Sequence, residues 1–455
     1  MRFHRENRAP SMRAPMFFVG PLLAALLLVW TTAPARAATL IRDSDIENAL
    51  ARMAAPILKA SGLGGSIKIL LIDDNSLNAF VVDNGHIYIH TGLLMKMNTP
   101  EKLQAVIAHE AAHIANGHIS RRMANLDNAR TVAGLGLALA LAAAAATGRS
   151  DVAAALALGT QSSAQRQFLG HTRAEEASAD QSGVRYMAAA GIDPKGMIKV
   201  QQLFEGQELL NVTRQDPYMR SHPLTRDRIR AMERYVAAYS GKARPQPELE
   251  YWYDRARSKV TAFKRPAKWT LQRYDESPAK DVQHMRLAVA YHRQQERDKA
   301  LSHINTAIDL RPDDAQYYDL KGQILLQSRQ FQSAVAAYRT AANLAPRDSL
   351  ILGNLGRALL TVERPKKALT YLEDSRNRDF RNMRVLRDLG SAYAQVGNNG
   401  MASLSTAERY ALAGRLEDAE IHAQRALGLL PRGSSAYRRA DDILAAAKRA
   451  NRKKR

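Results

Sequence analysis

The chain has 455 residues and a formal charge of +22 at neutral pH, with 46% hydrophobic and 24% charged residues. That length gives two or more domains at roughly 100–200 residues each, and the apolar fraction excludes a disordered chain. Cysteine is absent, which excludes a disulfide scaffold, a Cys-ligated zinc finger, an iron–sulfur centre, a thiol nucleophile and a lipid anchor on an N-terminal Cys. The basic excess suits an anionic membrane surface or an acidic protein; without a homeodomain, zinc-finger or RNA-recognition signature, nucleic acid is set aside.

In chain order, Arg2, Arg5, Arg8 and Arg13 precede the apolar stretch Met16–Trp30, and Ala35-Arg36-Ala37 follows it. A basic start, an apolar centre and an A-x-A exit describe a secretory signal peptide over residues 1–37, cleaved before Ala38. Removing its five Arg and one Glu leaves +18. The expected compartment is the bacterial periplasm. Residues 44–62 then carry Ile46, Leu50, Met53, Ile57 and Leu58 at helical spacing. Ser66–Ile72 and Ile87–Ile89, flanked by Asp73-Asp74 and Asn84-Gly85, predict a small antiparallel sheet. The strand around Ile87–Ile89 offers an edge to an extended substrate. From Leu94 onward the pattern is helical.

The first chemical signal is His109-Glu110-Ala111-Ala112-His113 inside the helical run Pro100–Gly117. Two His four apart face the same way on a helix, so both imidazoles reach one Zn²⁺, and Glu110 sits where a general base would stand. Val106, Ile107, Ala111, Ala112 and Ile114 surround the motif with apolar side chains, and a buried polar cluster needs a partner such as a metal. The apolar run Thr131–Ala146 follows, then Val152–Leu158. At about 1.5 Å per residue the longer run falls short of a bilayer core of about 30 Å, so a buried hairpin, a lid or a surface for unfolded substrate are its readings.

A catalytic zinc takes a third protein ligand. Sixty-three residues beyond His113 stands Glu176-Ala177-Ser178-Ala179-Asp180, with Glu176 and Asp180 one turn apart. Glu176 is assigned to the metal and Asp180 to orienting a ligand His, with Glu175, His171 and His118 as rivals for the third ligand. Ser221-His222-Pro223 and Arg228 come next. Residues 241–280 hold Pro245, Pro247, Pro266 and Pro278 and mark a connecting segment. Beyond it Ala288, Gly322, Gly356 and Gly390 are spaced 34 apart, as are Ala300, Ala334, Ala368 and Ala402, and Pro312 and Pro346. That period, with small residues where paired helices cross, is a tetratricopeptide solenoid over residues 281–455. Ala419 and Pro431 sit half a repeat late, which predicts an extra helix around Met401–Ala413.

Together His109–His113, Glu176–Asp180, Asn78-Ala79-Phe80 and Ser221-His222-Pro223 resemble the HtpX and CAAX-prenyl-protease family of zinc peptidases. With the signal peptide and the repeats, the chain resembles its periplasmic branch, the β-barrel-assembly-enhancing proteases. The fold expected is α+β and mainly α: a zincin-type metallopeptidase domain (38–240), a connecting segment (241–280) and the α-solenoid. The resemblance implies one Zn²⁺ held by His109, His113 and Glu176, with His222 near the metal. The reaction is peptide-bond hydrolysis with Glu110 as base. His222 has two readings: a fourth ligand that keeps the enzyme latent, or, aided by Arg228, a donor to the oxyanion of the tetrahedral intermediate. Relatives often carry an acid where this chain has Ser178. Expected partners are unfolded or misassembled envelope proteins and, through the solenoid, the β-barrel assembly machinery. An anionic outer-membrane surface is a further contact. A chaperone-like adaptor with a latent metal site is the competing function.

Overall fold

The structure, a computed structural model, describes residues 39–121, 173–211, 214–239, 241 and 243–454. The expected signal peptide, the apolar segment 131–158 and His171 lie outside them. Strand β1 (Thr39–Ile41) leads into helix α1 (Ser44–Ala60). Asp43 stays extended and its carboxylate accepts from the Ile46 N–H, capping the helix. Ile46, Ala49, Leu50, Met53, Ile57 and Leu58 form its buried face.

Strands β2 (Lys68–Asp73), β3 (Ala79–Asp83) and β4 (His86–His90) complete a four-stranded sheet in the order β1-β2-β4-β3. The sheet corrects the expected antiparallel pair: β2 and β4 run parallel, from Lys68 opposite His86 to Ile72 opposite His90. An unforeseen strand, β3, turns back through Asn84-Gly85 and pairs antiparallel with β4. That hairpin carries β4 across to lie beside β2. Because β4 is paired on both sides, the substrate edge expected at Ile87–Ile89 is closed, and β3 is the edge instead.

Helix α2 (Thr91–Lys96) is followed by α3 (Pro100–Ala115), which has Pro at its start, where a missing N–H costs nothing. Every residue of α3 from Leu103 to Ile114 is buried, so it is the central helix of the domain. Around it stand α4 (Arg173–Ala189), α5 (Lys195–Leu203), α6 (Pro217–Ser221) and α7 (Arg226–Ala238). Helix α8 (Pro247–Lys264) packs against α1 and the first repeat helix, and α9 (Ala267–Leu271) follows.

The repeats are α10 (Lys280–Arg293), α11 (Arg297–Leu310), α12 (Ala315–Gln327), α13 (Phe331–Leu344), α14 (Ser349–Thr361), α15 (Pro365–Arg378), α16 (Met383–Gln395) and α17 (Asn399–Leu412). A Cβ on Gly322 or Gly356 would strike Tyr338 or Leu372 of the paired helix, so the small-residue column is steric. A second column escaped notice. Gln295, Arg329, Glu363 and Gly397, each 34 apart, take positive φ in the three-residue turns between paired helices. Only the last is Gly; the others accept roughly 1–2 kcal/mol of strain. The N–H after each closes back on the helix, as Glu296 does on Tyr291 O and Gln330 on Leu325 O. Gly414 repeats this turn between α17 and α18 (Leu416–Leu429), before α19 (Ser435–Lys454). The expected extra helix around Met401–Ala413 is corrected: α17 is the regular second helix of its pair, starting 34 residues after α15 and carrying Ala402 of the Ala300 column, and Ala419 belongs to α18, the first helix of the next pair. Among the described residues, no helix is long and apolar enough to cross a membrane.

The solenoid is fastened to the first domain by its own capping residues. Asp314, Asp348 and Asn382, again 34 apart, cap α12, α14 and α16. Asp348 Oδ1 accepts from Leu350 N–H while its Oδ2 accepts from Ser44 Oγ at 2.6 Å. Asp314 caps α12 and also takes a two-pronged bond from Arg255 of α8 at 2.5 and 2.8 Å. The third donor of Arg255, Nε, reaches Asp45 at 2.6 Å. Lys259 Nζ bonds Asp43 at 2.9 Å, Arg42 bonds Asp379 at 2.5 Å, and Arg381 bonds Asp83 at 3.1 Å. Arg255 and Lys259 are both buried. Burial opposes ionisation of Asp45, but Arg255 and Lys259 outweigh it and hold the carboxyl below its usual value.

Candidate metal centre

The site forms where α3 meets α4. At Gly183 α4 lies directly against α3: a Cβ there would sit 3.5 Å from the Ala108 and His109 backbone, in ordinary contact, and 3.0 Å from Met197 Cε. That packing turns Glu176, Ala179, Asp180 and Gly183 of α4 inward, against the His109–His113 face of α3.

His109 Nε2 lies 3.1 Å from His113 Nε2 and 3.2 Å from His222 Nδ1. Glu176 reaches both helix-borne histidines at 3.4 Å and His222 Nδ1 at 3.0 Å. Donor atoms of His109, His113, Glu176 and His222 all fall within 4.8 Å of one another. Glu110 Oε1 stands 3.3 Å from His222 Nε2. These five residues are each at most 3% exposed.

That crowding is informative. His109 Nδ1 faces Asp180 Oδ1 at 3.1 Å, so its N–H goes to Asp180 and Nε2 carries the lone pair. A single ring nitrogen cannot satisfy His113, His222 and Glu176 together by hydrogen bonding. A cation shared among converging lone pairs does so, and N and O ligands of this kind suit zinc. Burial works against a charged His109, yet Asp180 and Glu176 lift its pKa to about 10, so the site draws positive charge, and a metal ion would have to displace the proton from Nε2. Burial keeps the His113 imidazole well below the usual histidine value, the neutral form a metal takes. The residues present therefore fit a zinc ion.

Around the donors, His118 Nδ1 meets His113 Nδ1 at 2.9 Å. Gly117, at φ +70, turns the chain so that His118 doubles back on the helix. His118 was a rival for the third ligand; it lies behind His113 instead, outside the converging group. Glu175 points towards Arg121 at 3.9 Å, away from the histidines. Asp180 holds His109 and is itself gripped by Arg228 through Nε at 2.8 Å and Nη2 at 2.9 Å. The remaining Arg228 nitrogen donates to Pro223 O at 2.7 Å and meets Glu176 at 2.9 Å. With its nitrogens held by Asp180, Glu176 and Pro223 O and with 9% exposure, Arg228 orients Asp180, Glu176 and the His222 loop. Ser178 accepts from Asn116 Nδ2 at 3.0 Å and ties the end of α3 to α4. Tyr218, which no motif announced, lays its ring 4.7 Å from His222.

Residues 41–236 match peptidase family M48, and residues 256–362 match a tetratricopeptide repeat-like domain. The chain carries an M48 peptidase domain. Named relatives match part of this chain. A putative beta-barrel assembly-enhancing protease of Vibrio cholerae is 28% identical over 206 residues, 44% of this chain and 41% of that protein. The beta-barrel assembly-enhancing protease of Escherichia coli K12 is 25% identical over 35% of this chain and 32% of its own length. Metalloprotease LoiP of the same organism is 29% identical over 46% of this chain and 75% of that protein. The matches thus span less than half of either assembly-enhancing protease. The expected family and mainly helical architecture, an M48 metallopeptidase domain followed by tetratricopeptide-like repeats, are borne out.

Proposed function

We propose that this protein is a zinc-dependent endopeptidase of the bacterial cell envelope, resident in the periplasm after loss of its signal peptide. It hydrolyses unfolded or misassembled proteins in the quality control of outer-membrane β-barrel assembly. The observation that carries the chemistry is the convergence of His109, His113 and Glu176 beside Glu110. These three residues would hold the ion, which supplies a Lewis acid for the scissile carbonyl and lowers the pKa of water. Glu110 accepts the proton of the attacking water and returns one to the leaving amine. Asp180 fixes the His109 tautomer, and Arg228 holds Asp180 in place. Strand β3 is the free edge on which an extended substrate would pair. The assembly role is supported by the names of the relatives, and the solenoid would meet the assembly machinery.

His222 supports a latent resting state. Its imidazole stands among the other donors and would fill the position that a catalytic site keeps open for water. Pro223 biases it to an extended backbone, and activity would require this turn to withdraw the ring. A chaperone-like adaptor with a permanently closed metal site is the second reading, favoured by this same contact.

Metal content and cleavage of an unfolded protein test both. Glu110→Gln should keep one zinc per chain and lose roughly 10²–10⁴-fold in turnover. Turnover near wild type would overturn the mechanism. His222→Ala should retain zinc and cleave faster; slower cleavage with zinc retained would make His222 an oxyanion donor, and no cleavage from any variant would favour the adaptor.

A further inference from the structure

His222 is carried by a short, tightly bonded turn that reaches from the metal donors to the free edge of the sheet. In α6 the His222 N–H donates to Tyr218 O at 2.8 Å, and Ser221 Oγ bonds Pro217 O and Tyr218 O, each at 3.1 Å. Tyr218 and His222 are thereby tied into one unit. The Tyr218 ring backs the imidazole at 4.7 Å and is itself stacked on Phe204 at 5.0 Å. Beside the two rings lies a cavity of about 30 Å³, lined also by Met197, Phe204, Met219, Leu224 and Met232. It has room for a water or two but not for an imidazole. On that side His222 has no place to retreat while Tyr218 stays where it is.

The other end of the tie is at the sheet. The Tyr218 N–H donates to Leu77 O at 3.2 Å, just ahead of β3. Asn78 O accepts from the His90 N–H of β4, on the inner side of the strand. Successive carbonyls of an extended chain alternate in direction, so Leu77 O is turned the other way, towards the free edge. An extended polypeptide lying along β3 would bring its own N–H groups to that side. At Leu77 it would meet an acceptor that Tyr218 already holds. The start of α6 is anchored separately: Gln207 Nε2 donates to Asp216 Oδ2 at 2.7 Å, and the Asp216 N–H donates to Gln207 Oε1 at 2.9 Å. Asp216 is therefore a pivot about which α6 can turn once the Leu77 bond is exchanged.

We propose that Tyr218 is a positioning residue that holds His222 among the metal donors, and that an extended substrate releases it by exchange. A backbone N–H of the substrate takes Leu77 O from the Tyr218 N–H, and α6 carries Tyr218 and His222 away together. One hydrogen bond is lost and one gained, so the exchange itself costs little, and pairing along the rest of β3 drives it. Cleavage is then confined to chains that present an unpaired, extended backbone. The inference rests on the latent reading of His222 and on β3 as the substrate edge, and it names what ends that latency.

The test uses the full chain as Glu110→Gln, so that nothing is cleaved, loaded with cobalt(II), whose visible absorption reports its donors. Glu110→Gln/His222→Ala gives the spectrum of the released state. An alternating Thr/Val decapeptide should shift the Glu110→Gln spectrum to that one, and the same peptide N-methylated at every residue should not. Tyr218→Ala, added to Glu110→Gln, should show the released spectrum with no peptide present. With Glu110 and zinc in place, Tyr218→Ala should lower the KM for an unfolded protein about threefold or more at unchanged kcat. Tyr218→Phe, which keeps the ring, should restore both the resting spectrum and the wild-type KM. Tyr218→Leu should behave as the Ala variant does and replaces it if that protein fails to fold. A Thr/Val peptide that leaves the spectrum unchanged at millimolar concentration, or a methylated one that shifts it equally, would overturn the exchange. A resting spectrum from Tyr218→Ala or Tyr218→Leu would overturn the positioning role while leaving His222 latent. If His222→Ala itself changes nothing in the spectrum, His222 is no ligand, and the latent reading falls together with this one.

Discussion

The metal centre and the seam between the two domains both bury charged groups, but they do so in opposite ways. At the seam each acid meets a cation with matching donors: Arg255 spends Nε on Asp45 and its two terminal nitrogens on Asp314, and Lys259 lies against Asp43 and Asp45. Each of these acids has a cation as its partner, and the result is a clamp. At α3 and α4, lone pairs of three imidazoles and a carboxylate converge, and the one fixed cation, Arg228, stands behind them. Balanced buried charge marks structure; unbalanced buried charge marks a place for a ligand.

The sharpest way to break that contrast is to remove one member from each region. Glu176→Ala should empty the metal centre and abolish hydrolysis, whereas Glu175→Ala, whose side chain faces Arg121, should keep full metal content by elemental analysis. The reverse outcome would name the wrong ligand. Arg255→Ala should leave the metal content unchanged but cost about 3–5 kcal/mol, because Asp45 and Asp314 would be left buried without their cation. A melting temperature close to wild type would show the clamp to be dispensable.

A smaller effect probes the one place where the seam is unbalanced. Burial raises the Asp319 carboxyl to about 7; Asn354 donates to it and Lys259 favours its ionisation, while Asp43 and Asp348 oppose it. Its folded value lies above its unfolded one, so the folded state holds the extra proton. Its contribution to stability is present at low pH and is lost as pH rises from about 4 through about 7. Asp319→Asn should therefore raise the melting temperature more at pH 8 than at pH 5. Equal shifts at both pH values would mean that Asp319 is ionised throughout.

What was legible in the sequence follows from the range of the interaction that made it so. The His109–His113 pair and the 34-residue columns each depend on spacing along one or two adjacent helices, where 3.6 residues per turn dictates which side chains share a face. The αL column at Gln295, Arg329 and Glu363 obeys the same period, but it hid because none of the three is Gly.

Tertiary structure decided the rest. Glu176 was chosen over Glu175, His118 and His171 from spacing and from the family motif; the packing of α4 against α3 is what brings it to the histidines. Arg228 was read as an aid to His222, but a sequence does not show which groups a guanidinium meets; packing sets it against Asp180, Glu176 and Pro223 O. The sheet was read as antiparallel because local strand pattern is blind to pairing direction, which β3 settled by carrying β4 across to β2. The clamp at Arg255 left no trace in the sequence, since Asp45 and Asp314 lie 210 and 59 residues away from it. Spacing along a helix is a property of the chain; which charges end up facing one another across a core is a property of the packing.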